Sequence, residues 1–144
     1  MKRTMKYYVS THNRGLFLKP TGTWDGSRDF EFTIDGISDS EYAKDESRRS
    51  VNGWSVFLQD APVVMKSRVM PIVALSITEA ELYSATMCAQ DMSFTTRILN
   101  SMELKVKLPM ILNVDNSGAD DLVHNWSISG RTRHIEVKTH FLRE

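Results

Sequence analysis

Cysteine is almost absent from this chain: Cys88 is the only one in 144 residues. A lone thiol closes no internal disulfide and builds no cysteine-rich zinc cluster, so a reducing, intracellular setting is expected. A dominant charge is absent too, with 18 Lys and Arg against 18 Asp and Glu. No global basic field draws in nucleic acid, and any such contact must come from a local patch. No apolar run approaches the ~18 residues of a membrane span. The basic start, Met1 to Val9, lacks the apolar core of a signal peptide, so no membrane partner is expected. Seven glycines and four prolines are too few for a linker or low-complexity chain. What remains is ordinary globular composition, and a chain of this length buries roughly 68–70% of its unfolded surface.

The hydropathy pattern divides the chain into elements. Residues 1–13 read as a short helix, with Met1, Met5 and Tyr8 at near-helical spacing and Gly15 as its stop. Leu16-Phe17-Leu18 is a short apolar run closed by Pro20, and Thr21 to Asp29 is turn chemistry. Phe30 to Asp35 alternates as a half-buried strand does, and Gly36 marks a bulge before Ile37 and Asp39. Residues 43–50 form a charged loop in which Arg48 and Arg49 are solvated. Val51 to Leu58 is a second strand with Trp54, Val56 and Leu58 on one face. Gln59 to Pro62 is a hairpin turn, and Val63-Val64-Met65 a third strand. Ser76 to Met102 is the longest helical pattern, with Ala80, Ser84, Met87, Cys88, Met92, Ile98, Leu99 and Met102 near a 3.6 period. Ser76 or Thr78 caps it, and Glu79 is a first-turn charge. Met110 to Val114 is nearly continuous and apolar, as a central parallel strand is. Residues 116–124 and 134–143 read as helices joined by a polar loop.

Three acidic residues stand out against this frame: Asp39, Glu81 and Asp115. Asp39 and Asp115 end strand-like runs, while Glu81 lies about one turn into the long helix. A strand, a long helix and a second strand usually make a right-handed parallel crossover. That arrangement delivers both aspartates to the same end of a sheet and lets Glu81 face them. Carboxylates brought together in this way suit a pair of divalent ions and the cleavage of a phosphodiester. Three such acids in one pocket repel, so at least one pKa should be raised without metal. His134-Ile135-Glu136 mimics the His-x-Glu of zinc deaminases, but that site needs two further cysteines.

Several segments then resemble, in order, the ribonuclease H region of copia-type retrotransposon polyproteins. They are Gly36 to Ala43, Asp45 to Gly53, Ala74 to Glu81, Val114-Asp115-Asn116, Arg131 to Glu136 and His140 to Glu144. Residues 1–29 are then the end of the segment joining the reverse transcriptase, and 30–144 the ribonuclease H-like domain. The resemblance implies an α/β fold with a mixed sheet: an antiparallel three-stranded unit, a parallel strand and flanking helices. It implies hydrolysis of the RNA strand of RNA–DNA hybrids by two Mg²⁺ ions, or Mn²⁺ in their place, held by Asp39, Glu81 and Asp115. Ser40, Ser76 and Asn116 are candidates for contacts to the hybrid, and Lys66, Arg68, Arg131 and Arg133 are candidate phosphate partners. The reverse transcriptase part of the same polyprotein is an expected partner. The expected location is cytoplasmic, nuclear or within a virus-like particle. Relatives continue with a fifth strand and a helix carrying a fourth aspartate, so the chain reads as a truncated fragment. The alternative is a non-catalytic remnant with the same fold, and a third reading is a connection module serving a polymerase.

Overall fold

Polar–apolar alternation builds most of the sheet. The structure is a computed structural model that describes residues 2–15, 18–44, 46–116 and 142. In chain order the elements are α1 (Lys2–Ser10), β1 (Glu31–Phe32), β2 (Ile34–Glu41), β3 (Val51–Leu58), β4 (Ala61–Val69), α2 (Ile77–Ser101), β5 (Lys105–Val106) and β6 (Ile111–Val114). The main sheet has the order β4-β3-β2-β6, antiparallel except for the parallel pair β2 and β6. This is a mixed sheet with a flanking helix. The β3–β4 turn is only Gln59-Asp60, both at positive φ (50° and 64°). Such a two-residue loop matches the right-handed twist of its strands. Ala61 and Pro62, expected in the turn, instead open β4, an edge strand where a missing N–H breaks no interior ladder.

One face of the sheet is apolar because alternate residues point to it. Ile34 on β2 and Trp54 and Val56 on β3 are buried there with Cys88, Met92 and Leu99 of α2. Ser76 caps α2, its hydroxyl accepting from the Glu79 backbone N–H at 3.1 Å. Glu79 returns the favour one residue earlier, its carboxylate accepting from the Leu75 N–H at 2.8 Å. The helix runs antiparallel to β2. Ser84 Oγ lies 2.9 Å from the Asp39 carbonyl and 3.1 Å from that of Gly53. One turn later Cys88 Sγ lies 3.8 Å from Ile37 O and 3.7 Å from Ser55 O. Four helical residues advance about 6 Å, close to two strand residues, so the two ladders stay in step. Small side chains at 80, 84 and 88 allow this close seating.

Three expectations change. Gly36 is not a bulge: it pairs in unbroken register with Val56 and Leu112. A Cβ there would lie 2.5 Å from Met92 Sδ and 2.8 Å from Cys88 Sγ, so glycine is required by the approaching helix. The 110–114 run is not central among the described residues; β6 is an edge strand, and Ile111 is 57% exposed. Ile98 and Met102, placed by periodicity on the apolar face, are exposed. A two-residue parallel pairing of β1 with β5 had no forewarning in the sequence. The helices expected over 116–124 and 134–143 lie, but for Asn116 and Leu142, outside the described residues, as do Leu16 and Phe17. No described helix is long and apolar enough to cross a membrane.

Candidate metal centre

The parallel register sets the first two carboxylates side by side. Ser38 pairs with Val114, and the next residue on each strand is Asp39 and Asp115. Both are exposed. Because α2 runs antiparallel to β2, its first turns lie over the C-terminal ends of these strands. Glu81 sits in that stretch and is only 5% exposed. Its pKa is raised, chiefly by burial, with the charges of Asp39 and Asp115 adding to the rise. The hydroxyl and backbone N–H of Ser40 act in the opposite sense. Even so, Glu81 Oε2 and Ser40 Oγ have no hydrogen-bond partner of full geometry. Proximity, not a closed bond, therefore links them. Glu79 is also buried, but its carboxylate serves the helix start, which leaves Glu81 as the acid facing the strand ends.

The three carboxyls share one end of the sheet without forming a cage. Among the described residues, no group of three His, Cys, Asp or Glu side chains is close enough to hold a metal ion. Strand alternation explains part of this. Asp39 projects to the face opposite α2, where it lines a shallow groove of about 410 Å³ with Ile37, Gly53, Ser55 and Met65. Glu81 is held beneath the helix on the other side. Mutual repulsion also favours separation.

The other candidate residues scatter. Ser40 is half-buried and borders Glu81, whereas Ser76 commits its hydroxyl to the helix cap. Asn116 is half-buried just past Asp115. Lys66 donates to both oxygens of Asp91 at 2.8 and 2.9 Å and lies 5.7 Å over the Trp54 ring. Arg68 stacks on the same ring at 5.4 Å. These cations support Trp54, whose Nε1 donates to Asp91 at 2.6 Å. Arg131 and Arg133 lie outside the described residues.

Sequence reasoning missed Ser38, Asn52, Ser84 and Asp91. For the first three a signal existed. They are polar residues at positions that strand and helix periodicity reserve for the core. Ser38 and Asn52 are 1% and 0% exposed. The Ser38 hydroxyl and both polar atoms of the Asn52 carboxamide have no hydrogen-bond partner among the described residues.

With this geometry in view, the chain's homologues are informative: they are retrovirus-related Pol polyproteins of transposons. The chain is 30% identical over 144 residues, 99% of its length, to the retrovirus-related Pol polyprotein from transposon RE1 of Arabidopsis thaliana. It is 28% identical over the same span to that from transposon RE2 of the same plant. It is 32% identical over 112 residues, 77% of its length, to that from transposon TNT 1-94 of Nicotiana tabacum. The chain spans 9%, 9% and 8% of these relatives. No protein-family model matches the chain. No solved structure matches it.

Proposed function

We propose that this chain is the ribonuclease H-like region of a retrotransposon polyprotein and hydrolyses the RNA strand of RNA–DNA hybrids with Mg²⁺ or Mn²⁺. One observation carries the reading. Parallel pairing of β2 with β6 sets Asp39 beside Asp115, and the antiparallel crossing of α2 brings Glu81 under the charge of both. The relatives' description as Pol polyproteins agrees with a replicative role. An order of three antiparallel strands, a crossover helix and a parallel strand is also what a ribonuclease H-like fold requires.

The donor chemistry of these residues suits a divalent ion, although in this structure the three carboxyls are not drawn together within metal-binding reach. All three offer hard carboxylate oxygens, the donor type that Mg²⁺ prefers. Asp39, Glu81 and Asp115 would hold the ions. Bound divalent ions would supply an activated water and stabilise the leaving oxygen. The chain's own residues do the rest. Asp39 and Asp115 are exposed and reach solvent, where a backbone phosphate arrives. Glu81 is packed beneath α2 and gives the site a fixed wall. Hybrid would be selected by backbone shape and 2′-hydroxyl contacts rather than by base reading. Ser40 and Asn116, beside the acids, are placed for such contacts. Arg68 remains a phosphate partner, since its ring stacking leaves guanidinium donors available. The reverse transcriptase part of the same polyprotein is the proposed protein partner.

The test is cleavage of a labelled RNA–DNA hybrid in Mg²⁺ and in Mn²⁺, beside Asp115→Asn. Metal-assisted charge stabilisation is worth several kcal/mol, so the variant should lose about 100-fold or more in rate. No cleavage by a folded, soluble wild-type sample overturns the reading in favour of a non-catalytic remnant.

A further inference from the structure

We infer that Asn52, with Ser38 and Ser40, binds ordered water beneath the first turns of α2, and that this water positions Glu81. The inference deepens the proposed metal centre and rests on it for its functional half. Ser40 and Asn52 are directly opposed partners on β2 and β3, and Ser38 is two residues along on the same face. That face is the one α2 covers, and Glu81 borders Ser40 there. Ser38 Oγ, Ser40 Oγ, Asn52 Nδ2, Asn52 Oδ1 and Glu81 Oε2 are all buried without a hydrogen-bond partner among the described residues. Groups so buried are strongly disfavoured unless something mediates between them. Opposed strand residues hold their Cβ atoms about 5 Å apart, a gap wide enough for a bridging water. Two nearby hydroxyls are already committed and not free to help: Ser84 Oγ faces the Asp39 and Gly53 carbonyls, and Ser50 Oγ accepts from the Ala43 N–H.

The chemistry of the orphans selects the ligand. Asn52 Nδ2 needs an acceptor, whereas Asn52 Oδ1 and Glu81 Oε2 need donors. A metal ion offers no acceptor, and an anion offers no donor. Water offers both and is stable where it finds two to four polar partners. Bridged in this way, Asn52 orients the Glu81 carboxylate without touching substrate or metal, so it is a positioning residue.

The experiment is a high-resolution crystal structure of the whole chain, paired with calorimetric Mn²⁺ titration of wild type, Asn52→Leu, Asn52→Ser and Ser38→Ala. Water within hydrogen-bond distance of both Asn52 and Glu81 is expected in wild type. Asn52→Leu should keep a cooperative melt yet lose about 10–100-fold in Mn²⁺ affinity, the usual effect of removing a group that orients a ligand. Asn52→Ser, with a hydroxyl and room for another water, should recover most of it. Ser38→Ala should weaken binding in the same direction, and carries the affinity test should Asn52→Leu not fold. A dry pocket in which Asn52 bonds directly to Ser40 or Glu81 overturns the inference, as does unchanged affinity in Asn52→Leu. If wild type binds no Mn²⁺, the metal centre fails, and the crystal structure alone decides the hydration site.

Discussion

Two side chains at the helix–sheet interface carry most of the argument at residue scale. Gly36 faces Met92 Sδ, Cys88 Sγ and Leu112 Cδ1, with an added Cβ only 2.5, 2.8 and 3.0 Å from them. Gly36→Ala forces the Met92, Cys88 and Leu112 side chains, or α2 itself, to shift. Overpacking of this kind costs about 1–3 kcal/mol, so a lower urea midpoint at unchanged slope is expected. Glu81 has a pKa raised above its ordinary 4.5, chiefly by burial. The folded chain therefore keeps this proton to higher pH than the unfolded chain does. Through that window the native state binds more protons, so stability falls as pH rises. In metal-free buffer, Glu81→Gln should melt above wild type at pH 7, with the gap closing by about pH 3, well below the ordinary 4.5, where the wild-type carboxyl is protonated in both states. An equal gap at both values would show that the effect is packing, not charge.

At the scale of elements, Asp91 ties helix to sheet. Its carboxylate accepts from Trp54 Nε1 and from Lys66 Nζ, joining α2 to β3 and β4. Trp54 is 3% exposed, so its indole N–H depends on Asp91 for a partner. Asp91→Ala leaves that donor unsatisfied and should cost about 1–3 kcal/mol by urea denaturation. The Lys66 pair, half open to water, adds little of this. Element legibility followed the strength of local signals. The limits of α2 were readable because Ser76 followed by Glu79 is a cap signature in front of a long periodic run. β3 was readable from its alternation. The second half of β4 was not, because Lys66 to Val69 is exposed on an edge and carries no burial pattern. β5 is two residues long and exists only because β1 lies beside it. Gly36 was noticed but misassigned, since a strand glycine signals a bulge or a close approach equally and only the neighbour decides.

Over the whole molecule, Cys88 reports the integrity of the layer between helix and sheet. It is fully buried, and burial pushes its thiol up to about 12, with Asp91 adding to the rise. Alkylation by iodoacetamide at pH 8 should be negligible in the native state and should track the global unfolding transition in urea. Reaction well before that transition would show that α2 lifts from the sheet independently. The Asp39–Glu81–Asp115 grouping belongs to this scale too, since no two of its members are neighbours in sequence.

The sequence by itself determined the element types, the capped long helix, the strand–helix–strand order and the identity of three acids at informative positions. These depend on short-range periodicity and caps, which a linear reading contains. Only the tertiary structure decided that Lys66 and Arg68 serve Trp54, that Ser76 rather than Thr78 is the cap, and that Gly36 makes room for α2. It alone decided that Asp39 and Glu81 approach from opposite faces of the sheet, with buried Ser38 and Asn52 alongside. Those outcomes depend on register and on which side of a sheet a helix lands, and both are set by packing between residues far apart in the chain.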